Sequence, residues 1–284
     1  MISGKFLILE SVDFELLKIE NPSVVIDSND ISYAIYTSGS TGTPKGVIQT
    51  YLTLSNLINW DNEFSGLQSG MRLLQYSSFS FDSSLHDIYF TLSNGGSSFI
   101  VSEDLRLDFL KLATFIKEEE IEIFSMPFSA LSSFISTIDI NWLENHKIKH
   151  IVSTGEQLKI GSDLERFMVQ NPQMMLHNFY GPSETHVVTS FSLKGDDFLP
   201  QRIPIGKPIS NSTVYILNSK GQLLPIGAVG EIYIGGNNLA RGYLNRIGLT
   251  QEKFIKNPFS KEDDSRMYKT GDLGRWLADG NIEY

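Results

Sequence analysis

The stretch Tyr36-Thr37-Ser38-Gly39-Ser40-Thr41-Gly42-Thr43-Pro44-Lys45-Gly46 constrains this chain more than any other. An apolar run, Ile31–Tyr36, leads into it, and a helical pattern over Gln49–Trp60 leads out. Its three glycines permit positive φ and close approach of the backbone to a ligand. Thr37, Ser38, Ser40 and Thr41 can donate hydrogen bonds to phosphate oxygens, and Lys45 adds a positive charge. A flexible Ser/Gly linker would share the small residues, but not the strand directly before them or Val47-Ile48 directly after. A Walker A loop fails at two positions: counted from Gly39, Pro44 stands where a second Gly is needed and Gly46 where Ser or Thr should be.

Beyond the loop, short apolar runs alternate with helical patterns. Arg72–Tyr76, Ser98–Val101, Ile121–Ser125 and His150–Ser153 read as buried strands. Asp104–Glu120 predicts one amphipathic helix, and Gly161–Gln170 another. That alternation predicts an α/β fold with a largely parallel sheet flanked by helices. After about Lys194 the texture changes to short alternating segments: Thr213–Leu217, Glu231–Ile234, Arg266–Tyr268, Gly274–Leu277 and Asn281–Tyr284. Ser219-Lys220-Gly221 and Ala278-Asp279-Gly280 are turn signals between them. The expected organisation is therefore an α/β part over 1–195 and a β-rich, distorted barrel-like subdomain over 196–284.

Three further segments carry chemistry. Asn178-Phe179-Tyr180-Gly181-Pro182-Ser183-Glu184-Thr185 joins a tight turn to an aromatic face and a hard oxygen ligand. Gly155-Glu156-Gln157-Leu158 precedes it, and Tyr268-Lys269-Thr270-Gly271-Asp272-Leu273 comes after it. A carboxylate such as that of Asp272 suits two neighbouring hydroxyls, because it can accept from both. Gly230–Gly236 with Leu239–Leu244 reads as structural: a strand, a turn and a helix start. In this order and at these spacings, the set resembles the adenylate-forming superfamily, which includes adenylation domains of nonribosomal peptide synthetases, acyl-CoA synthetases and luciferases.

The resemblance implies an adenylation core that uses ATP and Mg2+. By it, Thr37, Ser38, Thr41 and Lys45 hold the β- and γ-phosphates, with Gly39 and Gly42 shaping the loop. Asn178 and Tyr180 contact adenine, Ser183 the α-phosphate and Glu184 the metal, while Gly155, Glu156, Gln157 and Gly181 border the nucleotide and Asp272 takes the ribose. Phe79-Ser80-Phe81-Asp82-Ser83-Ser84 resembles the amino-acid-activating branch, in which Asp82 meets the substrate ammonium; an ordinary helix N-cap is the competing role for that Asp. The same branch implies a pocket of Asp82, Ser83, His86, Ser125, Val152, Thr154, Phe179, Val187 and Val188. The run His177–Thr189 resembles proline-activating domains, whereas Ser83, His86 and Thr154 depart from them. A small, weakly polar or cyclic amino acid is expected, with His86 able to bond a side-chain group. The other four histidines read as packing or surface residues.

Composition narrows the remaining classes. A formal charge of −10 argues against a general nucleic-acid or anionic-membrane surface. No Cys is present, which rules out a thiolate nucleophile or zinc site. No apolar run is long enough to span a membrane and no basic-then-apolar leader opens the chain, so a cytoplasmic protein is expected. The resemblance also implies a phosphopantetheine-bearing peptidyl carrier protein and neighbouring synthetase domains as partners. It implies further parts: an α/β portion before the phosphate loop, a hinge, a ribose-supporting Arg, and a C-terminal lid domain with a catalytic Lys. No residue here matches those, so the isolated chain is expected to adenylate weakly or not at all. The alternatives are an acyl- or aryl-CoA-type ligase and a non-catalytic interaction segment of a large synthetase.

Overall fold

The computed structural model describes residues 15, 20, 23–38, 42–64, 70–139, 142, 146–197, 200 and 202–284. Its centre is a seven-stranded sheet built from β3 (Arg72–Gln75), β4 (Ser97–Ile100), β5 (Ile123–Met126), β6 (His150–Thr154), β7 (Met175–Tyr180), β8 (Thr189–Lys194) and β9 (Lys207–Pro208). The strands lie in the order β4-β3-β5-β6-β7-β8-β9. The first five are parallel, β8 pairs antiparallel with β7, and β9 antiparallel with β8. The α/β expectation and its parallel sheet are borne out. The sheet takes β9 from beyond residue 195.

Residue parity decides what each face of the sheet carries. Leu74, Phe124, Ile151 and Leu176 enter a core with α4 (Phe109–Glu118), α5 (Phe128–Thr137) and α6 (Ser162–Gln170). Leu73, Ile123, Val152 and Phe179, of the opposite parity in their strands, face α1 (Tyr51–Phe64) and α2 (Asp82–Ser93). Ser125 and Thr154 share that second parity, which aims them at the α1–α2 side near the carboxyl ends of their strands. Such ends are where open parallel sheets bind ligands.

The β-rich part is a five-stranded antiparallel sheet. β10 (Ser212–Leu217), β11 (Gly230–Gly236), β14 (Arg266–Trp276) and β13 (Phe254–Lys256) neighbour one another in that order, and β15 (Ile282–Glu283) pairs with β14. Its apolar core includes Val214, Ile216, Ile232, Ile234 and Ile282, together with Tyr180 and Val188 from the edge of the main sheet. The segments Arg266–Tyr268 and Gly274–Leu277, read separately, form the one long strand β14 apart from Leu277.

Several elements differ from expectation. The helix expected over Gln49–Trp60 starts only at Tyr51, as α1: Gln49 and Thr50 end β2 (Lys45–Thr50), antiparallel to β1 (Ile31–Thr37), so the phosphate loop joins the strands of a hairpin. Val47, Ile48 and Thr50 suit a strand, and the cross-strand partner outweighs the helical spacing. The single helix over Asp104–Glu120 breaks at Asp108, whose carboxylate accepts from Lys111 N at 3.1 Å and restarts the chain as α4. The preceding turn, α3 (Glu103–Leu107), is capped by Ser102. The helix start expected after Gly236 is instead β12 (Gly242–Tyr243), which pairs with β2; the nearby helix is α7 (Ile247–Lys253).

A buried histidine pair sits in the main sheet. His150 Nδ1 lies 3.0 Å from His177 Nε2, and His177 Nδ1 lies 2.8 Å from Ser192 Oγ. Burial, aided by Lys149, lowers His150 to about 4, while burial and its neighbour His150 lower His177 to about 3. In the unfolded chain both titrate near 6.5. The unfolded state therefore binds more protons below that pH, and stability falls as pH drops from about 6.5 towards 4, by about 1.4 kcal/mol per unit for each imidazole. Urea midpoints at pH 7, 5.5 and 4.5 check this. His177→Gln is expected to flatten the loss, and an unchanged slope would contradict it.

Candidate active site

Glu184 is the electrostatic centre of the site. The turn after β7 delivers it, 4% exposed, and its main-chain carbonyl accepts from Ala240 N at 2.8 Å. Lys45 Nζ stands 2.5 Å from its Oε1, and the Tyr243 hydroxyl donates to the same oxygen at 2.7 Å. Lys45 also lies 4.9 Å from the centre of the Tyr243 ring, and the Tyr268 hydroxyl is 3.5 Å from that of Tyr243. Burial alone would raise the Glu184 carboxyl, but the bonds from Lys45 and Tyr243 outweigh it and hold it below its ordinary range. Burial, with Tyr268 and Glu184 beside it, pushes the Tyr243 phenol upward, so it stays a donor.

Across the hairpin, Thr37 pairs with Lys45. Its buried Oγ1 has no hydrogen-bond partner among the described residues, as expected of a donor waiting for a ligand. Ser38 is exposed, and Gly42 takes a φ of +78°. Gly39 and Thr41 lie outside the described residues. Ser183 sits beside Glu184, and Gln49 Nε2 donates to its carbonyl at 2.8 Å, tying the loop strand β2 to the turn.

A cleft of about 240 Å³ opens next to this centre, lined by Gly155, Glu156, Gln157, Asn178, Tyr180, Gly181, Asp272 and Tyr284 among others. The Tyr180 hydroxyl donates to Asp272 Oδ2 at 2.7 Å, and the Tyr180 and Tyr284 ring centres are 5.1 Å apart. Burial, reinforced by Asp272, raises the Tyr180 phenol. Asn178 Nδ2 is held by Pro204 O at 2.9 Å, and Gln157 Nε2 by Tyr284 O at 3.2 Å. Glu156 borders the cleft, yet its carboxylate accepts from Ser129 N at 2.7 Å and from Ser129 Oγ at 2.9 Å, tying it to the start of α5. At Gly181 a Cβ would meet His186 O at 1.7 Å, so only glycine lets the turn close.

The expected substrate pocket is a cavity of about 20 Å³ lined by Asp82, Ser83, His86, Ser125, Val152, Thr154, Phe179, Gly181, His186 and Val187. Eight of the nine pocket residues expected from sequence line it. Val188 does not: next in sequence to Val187 and wholly buried, it packs with Tyr180, Ile205 and Val214 in the core of the β-rich part. Phe81, not Asp82, is the N-cap of α2, and Asp82 is the first helical residue. The cleft and this cavity share Phe179 and Gly181 as a common wall.

Sequence reasoning missed four residues here: Tyr243, Tyr284, His186 and Asp61. His186 is no surface or simple packing residue. Val187 N donates to its Nδ1 at 2.9 Å, so Nε2 carries the proton and donates to Asp82 O at 3.2 Å. Burial lowers its pKa, in keeping with that neutral form. Asp61 contacts His86 Nε2 from behind the pocket. Tyr243 lies in a segment read as structural and His186 in the run His177–Thr189, and all four reach the site through tertiary packing.

A sheet of this topology, with a lysine–glutamate pair at the turn whose other residues line both the cleft and the small cavity, has the fold of the adenylate-forming class. The AMP-binding enzyme family matches residues 5–244, and the chain belongs to it. The chain is 40% identical over 280 residues to gramicidin S synthase 2 of Brevibacillus brevis, covering 95% of this chain and 6% of that protein. It is 42% identical over 256 residues to tyrocidine synthase 2 of Brevibacillus parabrevis, covering 90% and 7%. With bacitracin synthase 1 of Bacillus licheniformis the identity is 38% over 275 residues, covering 96% and 5%. The chain thus spans less than a tenth of the length of these relatives. The crystal structure of CmiS6 superposes with a TM-score of 0.80 at 24% identity, covering 90% of this chain and 60% of that one, and supports the fold.

Proposed function

We propose that this chain is the ATP-using core of an amino-acid-adenylating domain of a nonribosomal peptide synthetase, with an α/β part over 1–195 and a β-rich part over 196–284. The observation that carries the reading is the shared wall of Phe179 and Gly181, which sets the Asp82 cavity directly against the cleft holding Tyr180 and Asp272. The relatives' names as peptide synthases support the amino-acid branch over an acyl-CoA ligase.

In this reading Asp82 receives the substrate ammonium, Asp272 the ribose hydroxyls, and Lys45 with the loop hydroxyls the phosphate oxygens. Positioned this way, the amino-acid carboxylate oxygen bonds to the α-phosphorus of ATP. The bond from that phosphorus to the bridging oxygen of pyrophosphate breaks, leaving aminoacyl-AMP. Positioning and fixed charge supply most of such catalysis. Glu184 fits a divalent cation: it is a hard, buried oxygen donor already compensated by one cation, Lys45, at 2.5 Å. Bound there, Mg2+ would neutralise developing phosphate charge. The acyl group then passes to a carrier protein's phosphopantetheine thiol, the S–C bond forming as AMP leaves. Carrier and neighbouring synthetase domains are the partners, and the cytoplasm is the compartment. No helix among the described residues is long and apolar enough to cross a membrane.

Amino-acid-dependent ATP–pyrophosphate exchange by the full-length protein tests this. Exchange is expected with one or a few compact amino acids and none with fatty or aryl acids. Exchange supported by an aryl or fatty acid, and by no amino acid, would overturn it.

A further inference from the structure

Asp61 is a buried carboxylate that no step of this reaction uses. α1 brings it, with its side chain 0% exposed, to the back of the substrate cavity. A charge in that position requires a partner, and it has one in His86 Nε2 on α2, in direct contact. Burial opposes protonation of His86, yet Asp61, joined by Asp87 and Asp82, outweighs it, so the imidazole is held towards its charged form. The other titratable groups facing the pair are Asp82 and Asp87 on α2 and His186 before β8.

His86 is where two cavities meet. It lines the substrate cavity of about 20 Å³ and a second one of about 10 Å³ that continues towards Leu73, Phe90 and Ile123. A water-sized group needs about 10–15 Å³ of such space. With His86 in place, the two together admit about two or three non-hydrogen atoms. The ring is also fixed sideways, its centre 6.2 Å from Phe179, 6.4 Å from Phe90 and 5.9 Å from His186. Among these contacts only the one to Asp61 is ionic.

We propose that Asp61 is a specificity-determining positioning residue: by anchoring His86 across the junction of the two cavities, it restricts the enzyme to amino acids with compact side chains. The inference rests on the amino-acid-adenylating reading. Releasing the imidazole joins the cavities and opens the floor of Leu73, Phe90 and Ile123, beside which Asp87 also lines the space. Each methylene accommodated in such a pocket changes discrimination by about 10–200-fold.

The test is exchange kinetics of the full-length protein over alanine, proline, valine, leucine and phenylalanine, for wild type, Asp61→Asn, Asp61→Ala, His86→Ala and the Asp61→Ala/His86→Ala double variant. Asp61→Ala and His86→Ala should each raise kcat/KM for leucine, relative to the best wild-type substrate, by at least about tenfold. The change should lie in the amino-acid KM, with the KM for ATP unmoved. Because the two residues act as one unit, the double variant should shift the ratio no further than either single one. An unchanged size ranking, or effects that multiply in the double variant, overturns the proposal. Should Asp61→Ala fail to fold, Asp61→Asn, which keeps the shape and removes the charge, and His86→Ala decide it on the same ranking. Wild-type protein that shows no amino-acid-dependent exchange sinks the functional reading itself, whereas an active wild type with unaltered ranking in the variants sinks only this inference.

Discussion

Glu184→Gln is expected to slow amino-acid-dependent pyrophosphate exchange by about 10²–10³-fold, the usual effect of losing one preorganised charge-stabilising group. Glutamine keeps the volume and can still accept from Tyr243, so the turn between β7 and β8 has no steric reason to move. What disappears is the negative charge that now faces Lys45 at 2.5 Å. That leaves the lysine, whose side chain is 20% exposed, facing a neutral amide and free to turn to solvent. Water access moderates the structural cost, so the folded state should survive a loss that catalysis does not. Two measurements separate these effects. Thermal unfolding should shift by a few degrees only, while Mg2+ dependence of nucleotide binding should weaken strongly. Lys45→Met is the counterpart: it removes the cation and leaves the metal ligand, so nucleotide binding should weaken while the response to Mg2+ persists. Exchange within threefold of wild type in Glu184→Gln would remove Glu184 from the catalytic centre.

The parts of this fold legible in sequence are those where local pattern and tertiary packing agree. β1, β3, β6 and α6 fall within a few residues of where apolar runs and turn residues place them. α2 and α5 carry weaker signals, since Asp82–Ser93 and Phe128–Thr137 are rich in Ser and Thr and their faces are set by the sheet below. β2 departs from its sequence pattern for a related reason. Gln49, Leu52 and Asn56 share one helical spacing that runs on into α1, but the chain up to Thr50 satisfies its backbone groups against β1.

The site shows the same division. Lys45, Glu184 and Asp272 each sit in a dense local motif, and the fold brings Lys45 to Glu184 across 139 residues and Tyr180 to Asp272 across 92. Tyr243 sits in a segment that reads as structural, and Asp61 in no motif at all. Tyr243 reaches Glu184 because β12 pairs with β2, in a stretch that reads in sequence as a helix start. Asp61 is hidden in a helix whose polar face could as well have met solvent; its burial against α2 puts it in contact with His86.

Asp82→Ala should abolish recognition of the amino acid while leaving the nucleotide half of the site intact. Asp82 begins α2 and lines the small cavity; its Oδ1 accepts from Ser83 N at 2.9 Å, and its carbonyl is held by His186. The Ser83 bond aims the carboxylate and is lost with it in alanine, whereas the His186 contact is to the main-chain carbonyl and is kept. The carboxylate's structural value at the first turn of a helix is about 0.3–1 kcal/mol, too little to unfold a domain of this size. Its value to a desolvated ammonium is larger: removing one partner of a buried pair costs about 3–5 kcal/mol, or two to nearly four decades in affinity. The two magnitudes predict a clean separation. The amino-acid KM should rise by about 10²-fold or more, with the KM for ATP and the melting temperature almost unchanged. Asp82→Asn should behave like Asp82→Ala, since an amide hydrogen bond cannot replace the charge. A protein that adenylated a neutral acid would be indifferent to both changes, so retained kcat/KM in Asp82→Ala would move the assignment away from amino acids altogether. Loss of ATP affinity in parallel would instead show that Asp82 shapes the common wall at Phe179 and Gly181 rather than the ammonium site.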